Sequence, residues 1–127
     1  MSIAEYSELD GLAMADLVRR GEVTALELVE EAIKRIELLN PKLNAVVYPM
    51  YDMARELAAK KPSGTFGGVP FVLKDMTSHY AGTPTTHSTR LLKGIGNSTY
   101  DTEIVSRFKQ AGVITVAKTN TPELALA

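Results

Sequence analysis

The sequence predicts an α/β fold in which helices pack on a mixed, largely parallel sheet. Apolar residues recur at helical spacing in the first third of the chain, and two later apolar runs, 69–73 and 113–117, have the continuous composition of buried strands. Helical segments alternate with these runs, an order that favours parallel pairing. The length of 127 residues suits one modest core, so a single domain is predicted.

The chain opens with a short helix predicted over residues 9–20. Arg19 and Arg20 stand at its carboxyl end, where the helix dipole favours positive charge. Gly21 follows at the position where glycine commonly terminates a helix. Together with the next helix, this segment is predicted to form a helical hairpin over residues 9–39.

A longer helix is predicted over residues 24–39. Thr24 and Glu27 have the spacing of a capping box, in which each side chain bonds the backbone N–H of the other residue. Asn40 and Pro41 are predicted to stop the helix, because a residue before proline is disfavoured in the helical conformation. The predicted inward face comprises Ala25, Leu26, Val29, Ala32, Ile33 and Ile36.

An α/β core is predicted over residues 45–127, beginning with a β-prone run at 45–48 and a helix at 50–61. The apolar face of this helix comprises Tyr51, Ala54, Leu57 and Ala58. The run 69–73 then predicts a strand buried on both faces, because it is continuously apolar. Residues 76–100 are rich in Thr, Ser, Gly and His and are predicted to be mostly loop.

The last part of the core is predicted to hold a helix at 101–110 and a buried strand at 113–117. Gly112 closes the helix, and Thr121 with Pro122 resembles the start of another helix. The residues predicted to face inward from the 101–110 helix are Ile104, Val105 and Phe108.

Three strands form a small sheet with two edges, whose backbone groups lack partners. The last predicted helix is one turn long where the sequence stops. We therefore expect residues 1–127 to be the amino-terminal portion of one larger domain, or one half of an assembly that completes itself through the exposed sheet edges.

The bulk composition excludes several classes of protein. A net charge of -1 provides no basic surface for nucleic acid. The lack of cysteine excludes disulfides, thiolate metal sites and cysteine nucleophiles. No apolar run reaches the roughly 18 residues of a transmembrane helix, and the first residues do not have the basic and then apolar pattern of a signal peptide. We expect a soluble cytoplasmic chain with no nucleic-acid or membrane partner.

Lys74 is the candidate catalytic residue. It ends the apolar run 69–73 rather than lying on a solvated helix face. Apolar surroundings disfavour the charged ammonium group, and a neutral lysine amine can act as a general base. From chemistry alone a second interpretation stays open, in which Lys74 pairs with Asp75 or extends into solvent at the end of the strand.

Four segments of the chain, taken in order, resemble the amidase signature family. They are 68–75 (GVPFVLKD), 82–88 (GTPTTHS), the helix that starts at Asp101 and ends with Gly112, and 116–124 (VAKTNTPEL). The resemblance extends over nearly the whole chain, since the amino-terminal helices are also typical of the family. It implies the α/β fold of these enzymes, of which this chain holds only the first part.

The resemblance implies hydrolysis of an amide C–N bond by a nucleophilic serine, a serine with a cis peptide bond, and a lysine. Through the bridging serine, the lysine removes a proton from the nucleophile. Lys74 matches the lysine of the family. Both serines and the oxyanion-binding groups belong to a Gly-Ser-rich stretch beyond the 116–124 segment, which this sequence does not contain. The implied partner is a small amide substrate, with no cofactor and no metal, and the chain alone is expected to be inactive.

Two other assignments stay open beside this one. The chain as given could serve as a non-catalytic folding or interaction module. Alternatively, it could belong to the amidase core of a glutamine-dependent amidotransferase, which the same family includes. Several segments are similar to those of hydrolases acting on small cyclic or linear amides, but they do not predict the substrate.

Three further polar residues are weighed as members of a site. Ser78 and Ser88 are the serines nearest to Lys74 in sequence, and both are predicted to be loop hydroxyls bonded to backbone. Lys118 also ends an apolar run. It is predicted to pair with an acid or to bond backbone at the end of its strand, rather than to act as the base.

No metal or nucleotide site is predicted. His79 and His87 lie in a loop and lack a third ligand at a standard spacing. Residues 112–119 approach the phosphate-loop pattern, but the second glycine is missing and the β-branched residues favour a strand over a turn.

Overall fold

The structure is a computed structural model that describes residues 5–126. Its α-helices are α1 (Gly11–Arg20), α2 (Ala25–Leu43), α3 (Tyr51–Ala59) and α4 (Glu103–Ala111), and its strands are β1 (Val46–Pro49), β2 (Pro70–Lys74) and β3 (Ile114–Thr119). Short 3-10 turns lie at Tyr6–Glu8, Arg90–Leu92 and Glu123–Ala125. The predicted order of helices and strands is confirmed up to β3, whereas the last predicted helix is a 3-10 turn.

The predicted Gly21 terminator and Thr24 capping box are confirmed, and Asp10 adds an amino-terminal cap that the sequence analysis did not predict. The Asp10 side chain accepts a hydrogen bond from the Ala13 backbone N–H at 2.8 Å, and Gly21 ends α1 in the left-handed conformation with φ 71°. The capping box of α2 is present, because Glu27 and Thr24 each bond the backbone N–H of the other residue. These caps satisfy backbone groups that a helix end leaves free.

The predicted end of α2 at residue 39 is wrong, since the helix continues through Pro41 to Leu43. Proline removes the hydrogen bond to the carbonyl four residues earlier and crowds that carbonyl, which belongs to Glu37, an exposed residue. Asn40 supports the extension. Its carbonyl accepts a hydrogen bond from the Asn44 N–H at 2.8 Å, and its side chain bonds both backbone groups of Val46.

The described strands form one mixed sheet in the order β1-β3-β2. β3 pairs with β1 in antiparallel orientation and with β2 in parallel orientation. β3 is therefore central, although it comes last in the chain. The free sides of β1 and β2 are the two predicted edges of the sheet.

Helices cover both faces of this sheet. On one face, α2 and α3 pack against β3 in a single apolar cluster. On the other face, Phe71 and Leu73 of β2 pack with α4 and with the loop residue Tyr80, and the Phe71 and Phe108 rings lie 4.8 Å apart. The buried members of the first cluster are Ala25, Val29, Ile33, Ala54, Ala58, Ile114, Val116 and Ala117.

Three predictions about burial are wrong. Leu26 of α2 is 41% exposed, and Leu28, fully buried at 0%, packs against α1 instead. Ile104 of α4 is 45% exposed, while Val105 and Phe108 pack inward as predicted. β2 is not buried on both faces, because it is an edge strand and Val72 is 42% exposed. The prediction of a strand buried on both faces holds for β3.

The starts of β2 and β3 are held together by a loop. The Phe66 N–H donates to the Ala111 carbonyl at 2.8 Å, and the Gly68 N–H donates to the Gly112 carbonyl at 3.0 Å. Gly112 ends α4 with φ 91°, as predicted for its helix-closing position. A Cβ atom there would lie 2.8 Å from the Gly67 Cα atom, so the crossing requires glycine.

Candidate functional site

The candidate site lies at the carboxyl end of the sheet, where β2 and β3 finish side by side. In the parallel register, Leu73 lies opposite Lys118 and Lys74 lies opposite Thr119. The Asp75 N–H extends this pairing by donating to the Thr119 carbonyl at 3.0 Å. Ligands of open α/β sheets bind at this edge, because the chain leaves parallel strands there and exposes polar groups.

Lys74 ends β2 with its side chain exposed. The expected desolvating environment is therefore absent from the described part of the chain, because β2 lies at the edge of the sheet and not at its centre. Within residues 5–126 Lys74 forms no salt bridge, and Asp75 directs its carboxylate elsewhere. Of the two interpretations from sequence, the extended lysine at the end of a strand describes this geometry.

Asp75 is buried and fastens the following loop to β2. Its Oδ1 atom accepts a hydrogen bond from the Thr86 backbone N–H at 3.0 Å, and its Oδ2 atom accepts one from the Thr86 hydroxyl. A buried carboxylate needs such donors to offset the hydration it has lost. The residue that directly follows Lys74 is therefore tied to residue 86.

Lys118 is the buried lysine of this edge, with an exposed fraction of 0%. Its Nζ atom donates hydrogen bonds to the Pro84 carbonyl and, at 2.8 Å, to the Thr85 hydroxyl. Loss of hydration lowers the pKa of Lys118, and the negative charge of Asp75 acts in the opposite direction. Lys118 thus bonds backbone near the end of its strand, one of the two predicted outcomes, although that backbone belongs to a distant loop.

The loop that holds residues 84–89 also contacts the segment after β3. The Ser88 hydroxyl donates to the Asn120 side chain at 3.0 Å and accepts a hydrogen bond from the Thr121 N–H at 3.2 Å. The Thr89 hydroxyl donates to the Glu123 carboxylate at 2.7 Å. The loop therefore lies across the carboxyl ends of both strands.

Neither serine weighed from sequence contacts Lys74 in the described residues. Ser88 is engaged with Asn120 and Thr121, which confirms a loop hydroxyl bonded in part to backbone. Ser78 lies in the loop after β2, where its N–H donates to the Met76 carbonyl. Residues 5–126 thus supply one candidate base and no serine positioned for it to activate.

Metal and nucleotide sites are not supported. The described part of the chain contains no group of three or more His, Cys, Asp or Glu side chains that could hold a metal ion. His79 stacks near Tyr100, with ring centroids 5.3 Å apart. Ile114–Thr119 is a strand, as predicted, and cannot form a phosphate-binding turn. Among the described helices, none has the length and hydrophobicity for crossing a bilayer.

Sequence reasoning did not find the roles of Asp75, Thr85 and Thr86. Their contacts join residues 11 and 33 positions apart, and no local periodicity marks them. One signal was available for Lys118, because it follows an apolar run just as Lys74 does.

Comparison with known proteins identifies a family and several proteins whose sequences are similar to this chain. The family model described as Amidase matches residues 27–127. The 6-aminohexanoate-cyclic-dimer hydrolase of Paenarthrobacter ureafaciens is 40% identical over 116 residues, which cover 91% of this chain and 23% of that protein. A glutamyl-tRNA(Gln) amidotransferase subunit of Salinispora arenicola (strain CNS-205) is 33% identical over 98% of this chain and 26% of its own length.

A solved structure of 6-aminohexanoate cyclic dimer hydrolase complexed with substrate superposes with a TM-score of 0.87 at 37% sequence identity. The superposition covers 96% of this chain and 25% of that one. The chain thus spans about a quarter of the length of the relatives it matches.

Proposed function

The chain belongs to the amidase family, and from this premise we propose that it is the amino-terminal part of an enzyme that hydrolyses amide C–N bonds other than peptide bonds. Lys74 serves as the general base of that enzyme. Residues 1–127 form the first portion of one amidase domain, with the helical hairpin at 9–39 and the α/β core from residue 45. The observation that carries the proposal is the placement of Lys74 at the carboxyl end of β2.

The proposed mechanism uses two serines from a segment outside residues 1–127. A serine hydroxyl is a weak nucleophile until a base removes its proton, and a bridging serine can pass that proton to a lysine amine. The exposed side chain of Lys74 supports this role, because an incoming segment can reach it. Packing of that segment against β2 would also remove water from the amine, which favours its neutral form.

The proposed substrate is a small amide without a peptide backbone. The relative whose structure contains substrate is a 6-aminohexanoate cyclic dimer hydrolase. This cyclic dimer is therefore the first compound to assay. Linear and aryl amides test how far the activity extends. The chain by itself, residues 1–127, is expected to hydrolyse none of them.

The test is to express the protein at the length of its relatives and to measure amide hydrolysis with and without Lys74→Ala. General-base removal is expected to lower kcat by on the order of 10²- to 10⁴-fold. Lys60→Ala, an exposed lysine at the end of α3, is the matched control and should leave kcat within about twofold. Full activity of the Lys74→Ala variant would refute the proposed role of Lys74.

A second candidate is favoured by the similarity to amidotransferase subunits. In that case the amide that is hydrolysed is the side-chain amide of glutamine, and the ammonia released from it passes to a second reaction. Hydrolysis of glutamine, sensitive to Lys74→Ala and without turnover of the cyclic dimer or aryl amides, would select this candidate.

A non-catalytic role rests on the free edge of β2, where Val72 is exposed on the sheet. Such an edge can pair with a strand of another chain or with a second copy. Light scattering of residues 1–127 separates these roles, since a stable monomer at high concentration would exclude self-association.

A further inference from the structure

Two buried, ionisable side chains of the sheet edge form hydrogen bonds to the loop of residues 84–89. Lys118 of β3 bonds Pro84 and Thr85, and Asp75, next to Lys74, bonds Thr86. Because the Asp75 N–H also pairs with the Thr119 carbonyl, both anchors arise from one short stretch of the sheet edge. The loop is thereby fixed relative to the backbone of Lys74.

Stability alone does not explain a lysine at position 118. Its side chain is fully buried, its hydrogen-bond partners within residues 5–126 are uncharged, and the Asp75 carboxylate only partly offsets the hydration that the amine loses. Burial of a cation costs several kcal/mol, and well-packed apolar residues of similar volume are often at least as stabilising. A methionine of similar volume could occupy this buried position, so the amine is needed for the bonds it makes.

Those bonds are directed at the point where the loop passes the strand ends. Lys118 lies near the end of the central strand and reaches the Pro84 carbonyl directly. A long unbranched stem with a terminal donor fits this geometry, and three N–H groups allow two acceptors to be bound at once.

We infer that Lys118, with Thr85 as its partner, is a positioning residue that sets the 84–89 loop over the carboxyl edge where Lys74 acts. This inference rests on the proposed amide hydrolysis. Lys118 does not exchange protons with substrate. It holds the loop so that the surface next to Lys74 keeps one shape when the rest of the domain and the substrate meet it.

Three variants, two of which form a matched pair at Thr85, test the inference in the full-length protein. Lys118→Met keeps the length of the stem and removes the donors. Thr85→Val keeps the branched shape of the side chain and removes the hydroxyl, whereas Thr85→Ser keeps the hydroxyl and removes a methyl group. The two readouts are steady-state kinetics on the amide substrate and hydrogen exchange of the backbone amides at 84–89.

We expect Lys118→Met and Thr85→Val each to lower kcat about 10-fold or more with KM nearly unchanged, because misplacement of a supporting loop disturbs the reacting geometry. Exchange of the Thr86 amide should accelerate in both variants, and Thr85→Ser should stay close to the wild type. The double variant should be no worse than Lys118→Met alone, since both changes remove one interaction.

The inference is overturned if Lys118→Met leaves kcat and the exchange at 84–89 unchanged, or if Thr85→Ser is as impaired as Thr85→Val. Should Lys118→Met fail to fold, the Thr85 pair decides the matter alone. Failure of the proposed function looks different, because the wild type would then hydrolyse no amide while the exchange readout still tests the loop. Turnover abolished by Lys74→Ala but untouched by Lys118→Met would uphold the function and reject the inference.

Discussion

Lys74 and Lys118 occupy similar places in the sequence and opposite environments in the fold. Each follows an apolar run and stands at or near the end of a strand, and the two strands are parallel neighbours. Lys74 is exposed, whereas Lys118 is completely buried. The difference arises because β3 lies between two strands and β2 has one free side. The order of strands in the sheet, which local sequence does not encode, therefore determines which of the two lysine side chains is buried.

The largest expected effect on the free energy of unfolding distinguishes the central strand β3 from the edge strand β2. Ile114→Ala in β3, where the side chain is fully buried, should lower the free energy of unfolding by about 2–5 kcal/mol because it leaves a cavity. Val72→Ala in β2 should cost less than about 1 kcal/mol, because the side chain is already partly solvated. Urea denaturation of this chain measures both, and equal losses would contradict the assignment of centre and edge.

Gly112 and Gly21 provide a second test, at the start of β3. Both end a helix with positive φ, but a Cβ atom on Gly21 would meet nothing within 4 Å, whereas one on Gly112 would meet the backbone of Gly67. Gly21→Ala should cost about 1–2 kcal/mol from conformation alone. We expect Gly112→Ala to cost more than Gly21→Ala, because the loop before β2 must also move. A Gly112→Ala loss no larger than the Gly21→Ala loss in thermal or urea unfolding would show that this crossing is loose.

The buried amine of Lys118 should make stability depend on pH. Burial lowers the pKa of Lys118 in the folded chain below the ordinary 10.5. Between the pKa in the folded chain and 10.5, the unfolded chain therefore binds more protons than the folded chain. The free energy of unfolding therefore rises with pH in that window. Relative to Lys118→Met, the wild type should gain up to about 1.4 kcal/mol per pH unit as pH rises through the window between the lowered pKa of folded Lys118 and 10.5.

The pH dependence of stability has to be measured for both the wild type and Lys118→Met. Burial also raises the pKa values of Tyr6, Tyr51 and Tyr80, and these groups titrate in both proteins. Their contribution cancels in the difference between the variant and the wild type. A difference that does not change with pH would mean that Lys118 is hydrated in the folded chain.

The smallest expected effect concerns the exposed face of β2. Val72→Lys should change the free energy of unfolding by less than about 0.5 kcal/mol, since a lysine stem can lie along the surface with its amine in water. If the edge mediates self-association, the variant should reduce it, because charge on an edge strand opposes pairing. Sedimentation velocity at increasing concentration compares it with Val72→Thr, which retains the shape without the charge.

Local chemistry was sufficient for the helix ends and for most of the elements. The caps at Asp10 and Gly21, the capping box at Thr24 and the closing Gly112 depend on neighbouring residues, so sequence reveals most of them directly. The end of α2 was mispredicted because proline disfavours a continuing helix without forbidding it, and Pro41 lies inside α2. The Asn40 side chain, which bonds a strand six residues later, then favours the longer helix.

The candidate site was predictable only at Lys74, and there through its family resemblance rather than its environment. The bonds of Lys118 and Asp75 to the 84–89 loop depend on which strands become neighbours and on the path of a long loop. Neither property has a period or a motif that a single sequence displays. The exposure of Val72 was missed for the same reason, since an edge strand and a central strand can have the same apolar composition.

The order β1-β3-β2 has a consequence for how the chain is made. Each strand pairing in the described sheet includes β3, the last of the three described strands to be synthesised, so none of these pairings can form until residue 119 has been made. Helices α1 and α2, by contrast, are separated by a short connection, and Met14 and Ala15 of α1 can pack with Leu28 of α2 early, because short loops close at low entropic cost. During translation, residues 11–43 should therefore become helical before the three described strands pair, and these strands should then assemble together once β3 has been made.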